Sequence, residues 1–507
     1  RLCDDILPQC EHEEDRKVLL KAMINKELLY KIIGQLLFLE AMLMGCCFVI
    51  AFFFHEDDTL AFLESTIISI FAGVVLKLFG RHADNSMSRR DAYLVVTLCW
   101  VIFSLFGTLP FLISGYITHF TDAYFETMSG FTTTGATIID DVEALPHGLL
   151  FWRSLTQWIG GLGIVFFTIA LLPSMVGGSV KVFAAEATGP IKTKLHPRLS
   201  TNAKWIWVIY LVITMACTAS YWLGGMGVFD SINYAMTTTA TGGFSTHNTS
   251  TEFFHSPTLE YVCTLFTFLS GVNFTLLYLT VIKGKVSLLC KNTEFKFYLF
   301  LVGIFTLIIT IELMARNGYD VEHAFRCGIF QVVSFITTTG LFNDDAGTWP
   351  HVTWVVLAVC MFFGACSGST SGGFKCIRGV MVLHVIKNEF RQILHPNAVL
   401  PIKIDGSNVP NQKRVTLLAF LTVYLILCLI TSFTMIAMGI DNTNAITITL
   451  SSIGNVGPSL GLNIGPTMSW SSLPDVCKWM CAVMMLVGRL EIFSVLVIFT
   501  PEFWKER

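Results

Sequence analysis

Four short tetrads carry the residues best suited to chemistry: Thr133-Thr134-Gly135-Ala136, Thr241-Gly242-Gly243-Phe244, Thr338-Thr339-Gly340-Leu341 and Asn455-Val456-Gly457-Pro458. Each has glycine third, closes a short polar-to-apolar segment and is followed some way on by a long apolar run. Glycine accepts backbone angles that a substituted residue resists, so such a tetrad can turn its carbonyl oxygens toward a common axis. Four of them can replace the water shell of a cation. Nothing resembles a catalytic triad, a metal-binding His pair or a phosphate-binding glycine loop after a strand, so no enzymatic chemistry is expected.

The elements that must position the tetrads follow from the apolar runs, each span needing about 20 residues. An opening pair at 32–54 and 60–79 stands apart. After it, a span, a short re-entrant stretch ending in a tetrad and a second span recur four times. The copies are 92–114, 122–137, 149–172; 205–222, 230–244, 259–282; 295–314, 322–341, 352 onward; and 415–438, 441–458, 476–499. Asp122 to Gly135 and Asp230 to Gly243 cover the same thirteen-residue distance, which points to an internal repeat. The stretches 123–131 and 328–336 read as short helices starting near Asp122, Asp230, Glu322 or Asn442, whose C-terminal dipole ends would favour a cation. The expected fold is an all-α polytopic membrane protein with ten spans. It is divided into an N-terminal segment 1–29, a two-span hairpin 30–80 and repeats at 91–180, 203–283, 294–390 and 413–507. Every copy enters and leaves in the same sense, so the copies are related by rotation about the membrane normal, around a pseudo-fourfold central pore.

Composition agrees: of 507 residues 53% are hydrophobic and only 14% charged, which excludes an ordinary soluble domain. The fifteen cysteines are scattered with no Cys-x-x-Cys pair, so neither a disulfide framework nor a zinc site is expected. Residues 1–22 read as a polar extension ahead of a natural start at Met23. Nineteen Lys and Arg lie in 81–91, 181–204, 283–296 and 375–414, against one, Arg326, in the stretches on the other side. Basic loops stay inside, so both termini are expected to be cytoplasmic and the tetrads to face outward. Fifteen acidic residues on that outer side, including Glu56, Asp57, Asp58, Asp140, Asp141, Asp344 and Asp345, are expected to gather cations.

Two further features read as a gate. In the third copy the second span runs into Gly364-Ala365-Cys366-Ser367-Gly368-Ser369-Thr370-Ser371-Gly372-Gly373, ten small residues that should break the helix near mid-membrane. Arg489 lies in the last span, about 21 Å along a helix from Asp475, at a depth where an arginine is costly and functional by default. Glu491, two positions on, is a poor helical partner for it. The run Gln157-Trp-Ile-Gly-Gly-Leu-Gly163 is assigned to packing.

Taken together, Phe131 to Thr137, Thr239 to Thr246, Ile336 to Leu341, Gly454 to Gly461 and Gly368 to Lys375 resemble the Trk/Ktr/HKT superfamily of potassium transporters, most closely its bacterial TrkH branch, over residues 30–507. The resemblance implies a potassium filter with ion sites at Thr134, Gly135, Gly242, Gly243, Thr339, Gly340, Val456 and Gly457. Glycine at all four filter positions implies selectivity for potassium. It also implies an intramembrane gating loop at 364–373 working with Arg489, and location in the bacterial plasma membrane. It further implies a homodimer resting on a cytosolic ring of the TrkA type that binds NAD or ATP-like nucleotides. No cofactor in this chain and no nucleic-acid partner are expected; potassium is substrate and membrane lipid the surroundings. Proton- or sodium-coupled symport, and a non-conducting receptor or scaffold, remain alternatives.

Overall fold

A computed structural model describes residues 24–84, 87–163, 199–398, 400–461 and 463–505, residues 199–203 by their backbone. The proposed start at Met23, most of segment 1–29, the first copy's second span beyond residue 163 and most of the basic stretch 181–204 lie outside these residues. The described chain is helical apart from one two-stranded hairpin, β1 (Lys403–Ile404) with β2 (Ser407–Asn408).

The opening pair is α1 (Lys26–Phe54) and α2 (Thr59–Phe79). They pack through glycine: a Cβ on Gly34 would lie 2.8 Å from the Gly73 carbonyl oxygen and 2.9 Å from the Lys77 nitrogen. The first copy begins with α3 (Arg89–Gly107), whose start is a reciprocal capping box between Ser88 and Asp91. It continues through α4 (Leu109–Ser114) to a short helix, α5 (Phe120–Phe131), and then α6 (His147–Leu162). The connection between α1 and α2 caps α6 from outside its own chain segment: Glu56 accepts from the His147 nitrogen (2.6 Å) and Asp58 from the Leu149 nitrogen (3.1 Å). Two of the acidic residues expected to gather cations therefore hold the hairpin to the body. Burial and the neighbouring Glu56 raise the Asp58 carboxyl to about 6.

The second copy contains α7 (Leu199–Leu223), the short α8 (Val228–Ala240), α9 (Pro257–Ser270) and α10 (Phe274–Val281). The third contains α11 (Thr293–Glu312), α12 (Val321–Ile336), α13 (His351–Phe363) and, beyond the small-residue loop, α14 (Cys376–Leu394). The fourth contains α15 (Asn411–Ala437), α16 (Asn442–Gly454), α17 (Asp475–Arg489) and α18 (Phe493–Leu496). The starts of α12 and α16 are capped by the side chains of Asp320 and Asp441 rather than by Glu322 or Asn442, while Asp122 and Asp230 sit in the first turns of α5 and α8. Acidic groups there favour the helix dipole.

Among the described residues six helices are long and apolar enough to cross a membrane, or eight if each bent pair counts as one span; α13 is shorter. The outward faces carry large apolar side chains such as Phe71, Leu429 and Phe433, as lipid contact requires. Among the described residues, two spans expected to be continuous are not. The 259–282 span turns by 105° between α9 and α10, and the 476–499 span by 107° after Arg489. At the first break Asn273 caps α10 by accepting from the nitrogens of Thr275 and Leu276, and Gly271 ends α9. At the second, Glu491 adopts a left-handed backbone. The third copy breaks at Gly364, as its small residues foretold.

Replacing Gly34 with leucine forces the α1–α2 contact apart. Thermal unfolding in detergent should show a loss of about 1–3 kcal/mol, the usual range for overpacking; a wild-type midpoint would mean that the hairpin does not rely on this contact.

Candidate cation site and intramembrane loop

The four tetrads leave their short helices by one hydrogen-bond pattern. The second tetrad residue donates its N–H to the carbonyl five residues back: Thr134 to Ser129, Gly242 to Thr237, Thr339 to Ser334 and Val456 to Ser451, at 2.8–2.9 Å. The first residue donates three back, Thr133 to Gly130, Thr241 to Thr238, Thr338 to Phe335 and Asn455 to Ser452. Together these are the two bonds of a Schellman helix end, which needs a left-handed residue in the first position. That residue is threonine in three copies, at φ 55°, 53° and 57°, and Asn455 at 55°. A β-branched residue in the left-handed region is strained and persists only where its surroundings dictate it. The third-position glycines are left-handed too, with φ 85°, 80°, 80° and 102° at Gly135, Gly243, Gly340 and Gly457. Asn455-Val456, unlike the other copies in side chain, thus follows them in backbone.

These glycines close a ring. A Cβ on Gly135 would meet the carbonyl oxygen of Gly242, one on Gly243 that of Thr339, one on Gly340 that of Val456, and one on Gly457 that of Thr134, each well under 3.0 Å away. Each copy's glycine therefore sits against the carbonyl preceding the next copy's glycine, and the fourth returns to the first. No side chain fits at any of the four positions without displacing backbone.

Side chains from elsewhere brace the ring. Gln157 on α6 donates to the Gly242 carbonyl (2.8 Å) and accepts from the Phe244 nitrogen (3.0 Å). Arg153, one helical turn earlier, pairs with Glu126 on α5 at 2.9 Å, both fully buried, donates to the Ser245 carbonyl (3.0 Å) and lies over the Phe244 ring. Glu126 in turn accepts from the Ile138 nitrogen and the Thr137 hydroxyl, each at 3.0 Å. One ion pair thus holds the segments leaving both the first and second tetrads. Asn455 donates to the Thr134 hydroxyl (3.0 Å), Ser334 to the Leu341 carbonyl (2.6 Å), and Ala136, like Leu341, is buried.

On one side of the ring lies a cavity of about 100 Å³ touched by Gly135, Gly243, Gly340, Gly457 and Pro458, with Asp140, His247 and Trp470 in its wall. His247 stacks on Phe253 and faces Asp230 (3.6 Å) and Glu143 (3.3 Å). Burial works to lower its pKa, but these two carboxylates outweigh that and raise it above the usual histidine value.

On the other side, loop 364–373 packs beneath the ring. Its Gly372 nitrogen donates to the Thr338 hydroxyl (2.7 Å), and the Thr370 hydroxyl donates to the Thr239 carbonyl (3.1 Å). Gly364, Gly368 and Gly373 are left-handed, and a Cβ on Gly364 would strike the Gly372 carbonyl. The break between α9 and α10 supplies partners. The Cys366 nitrogen donates to the Gly271 carbonyl (3.0 Å), Asn273 to the Ser367 carbonyl (2.6 Å), and the Phe274 nitrogen to the Gly368 carbonyl (3.0 Å). Glu294, at the start of α11, accepts from the nitrogens of Ser367 (2.6 Å) and Ile377 (3.1 Å); Ser369 bridges to the Cys366 carbonyl and Ser371, and Ala365 is fully buried. Arg489 donates to the Thr370 carbonyl (2.8 Å) and to the carbonyls of Gly160 and Gly161 at the end of α6. It spans from loop to helix end. Glu491 pairs with Arg378 of α14, and Lys375 donates to the Ser371 carbonyl.

A family profile for TrkH, described as a cation transport protein, matches residues 59–506. The Trk system potassium uptake protein TrkH of Halomonas elongata is 35% identical over 95% of this chain and all of its own length. Its Escherichia coli K12 counterpart is 34% identical over 94% and 99%. The crystal structure of the potassium transporter TrkH from Vibrio parahaemolyticus superposes with a TM-score of 0.85 at 33% identity, covering 94% of this chain and 99% of that one. This chain belongs to the TrkH family.

In this TrkH-family chain the ring, the loop and Arg489 come together as the sequence grouped them, and the bracing residues do not follow from any motif. The 157–163 run, read as packing, contributes Gln157 to the ring and the Gly160 and Gly161 carbonyls to Arg489. A polar Gln and a buried Arg153 on an otherwise apolar helix were the available signal. Removing one partner of a buried ion pair strands the other, so Arg153→Met should lower stability by about 3–5 kcal/mol, read by unfolding in detergent. Wild-type stability would show the pair to be dispensable. Protonated His247 adds positive charge beside Asp230 and Glu143. Cation flux should therefore fall as pH drops through the raised His247 pKa, and His247→Gln should flatten that profile.

Proposed function

We propose that this chain takes up potassium across the bacterial plasma membrane through a gated, channel-like pore, with the four tetrads as its selectivity filter. The observation that carries this reading is the closed interlock of Gly135, Gly243, Gly340 and Gly457 with carbonyl oxygens of the neighbouring tetrads. Left-handed backbone at the first and third positions and its opposite at the second and fourth alternate the sign of φ, an arrangement suited to aiming successive carbonyls at one axis. Non-helical backbone at membrane depth needs burial in protein or an aqueous path. The ring fits both conditions, with protein around it and a cavity on one side. The C-terminal ends of α5, α8, α12 and α16 lead into it and add negative dipole ends. Gly242 gives one carbonyl lone pair to Gln157, and a carbonyl has two. The relatives are named potassium uptake proteins, which supports potassium as the transported ion.

The same proposal includes four tandem repeats about the ring and tetrads facing outward with both termini cytoplasmic. It also includes a homodimer in which each subunit keeps its own pore, and a cytosolic nucleotide-binding ring as regulator. The chain performs no enzymatic step. Loop 364–373 is the gate. Its hydrogen bond from Gly372 to Thr338 joins it to the third tetrad, and Arg489 latches it to α6, where a fixed positive charge also repels cations.

Potassium and sodium flux into liposomes holding the purified chain tests the filter: potassium should be favoured, and Gly340→Ser should abolish that preference. Unchanged selectivity in the variant would overturn the assignment. Arg489→Gln, or deletion of 364–373, should raise flux; wild-type flux in both would remove the gate. A reversal potential that moves with pH would replace free conduction by proton-coupled symport.

A further inference from the structure

Away from the ring, α12 and the segment that leaves the third tetrad bring three metal-ligating side chains together. His323 and Cys327 are four residues apart and share one face of α12. Asp344 follows Leu341 by three residues. One ligand atom from each lies within 4.8 Å of the others. Cys327 is buried, while His323 and Asp344 are half-buried.

The neighbours hold these groups as outer partners hold metal ligands. Asp344 Oδ2 accepts from the Tyr319 hydroxyl (3.1 Å) and from Trp349 Nε1 (3.0 Å), and its main-chain carbonyl accepts from Gln331 (3.1 Å). Tyr319 stacks on the His323 ring at 4.6 Å, and Asn343 donates to Cys327 Sγ at 3.7 Å. Among the described residues no hydrogen bond occupies the His323 ring nitrogens.

We propose that His323, Cys327 and Asp344 bind one divalent ion of the zinc or cadmium class, with water as fourth ligand. One nitrogen, one sulfur and one carboxylate oxygen suit such an ion and not magnesium or calcium, which take oxygen. Bond lengths of about 2.0–2.3 Å place tetrahedral ligands roughly 3.3–3.8 Å apart, so the side chains close in by about 1 Å on binding. The thiol proton leaves to solvent as the sulfur takes the ion. The bound ion joins the first turns of α12 to the segment beyond its tetrad, clamping both ends of the third pore turn. Binding here is independent of whether the ring conducts.

The full chain, purified in detergent and freed of metal, is titrated with zinc and separately with cobalt, and metal content is measured after desalting. The wild type should hold one zinc ion per chain, and His323→Ala and Cys327→Ser should each weaken binding by about tenfold or more. Cobalt should give a sulfur-to-metal charge-transfer band that Cys327→Ser removes. No stoichiometric zinc, binding that survives both substitutions, or a cobalt complex without the sulfur band would overturn the proposal. Should Cys327→Ser not fold, His323→Ala at the accessible side decides alone. Zinc content is read without any flux measurement, which separates failure of the metal site from failure of the filter.

Discussion

Everything near the centre of this molecule answers to one steric constraint: a glycine α-carbon in each tetrad lies against the carbonyl oxygen of the next. Contact that close leaves no room for a side chain, and left-handed backbone makes glycine the residue that meets it without strain. The constraint is mutual and closed, so no tetrad can move without its neighbours. It also accounts for strain one step earlier, where three threonines adopt the left-handed conformation that ends a helix with two carbonyl groups satisfied. The ring keeps them there.

A rigid ring needs unbroken support, and the chain supplies it by breaking helices elsewhere. Each break frees backbone groups that cannot stay unpaired inside a membrane protein. Those at Gly271–Phe274 are matched by Cys366, Ser367 and Gly368. Those at the end of α6 are matched by the guanidinium of Arg489, which also takes Thr370. Five donors in a planar fork let one arginine satisfy several carbonyls at once, which a lysine does not do. Loop, broken helices and ring are therefore one hydrogen-bonded body, joined to the third tetrad through Gly372 and Thr338.

Charge follows the same economy. Arg153 is buried with Glu126, Lys478 reaches Asp122 at 2.6 Å, and Arg326 reaches Glu260 at 2.6 Å. Each of these three cations is thus paired with a carboxylate on a neighbouring element and ties two elements together. Buried pairs of this kind contribute little net stability but cost much when one partner is lost. Their value here is geometric.

The amino-acid order by itself determined the apolar runs, the short helices between them, the four aligned tetrads and the small-residue break at 364–373, because these depend on local composition and on glycine's backbone freedom. The alignment reached even Asn455-Val456, whose backbone repeats the others although its side chains do not. What stayed illegible are contacts between residues far apart in the chain, such as Gln157 with Gly242 or Arg489 with Thr370. The bends within the expected spans 259–282 and 476–499 belong to the same class. An apolar run with one glycine and one asparagine reads as a continuous helix until a loop from another copy offers its backbone as partner. Whether Asp58 gathers ions or caps a helix, and whether Gln157 is packing or brace, was likewise decided by which groups the fold brings within hydrogen-bonding reach. Sequence spacing encodes periodicity along a chain, whereas satisfaction of buried polar groups is a property of the assembled whole.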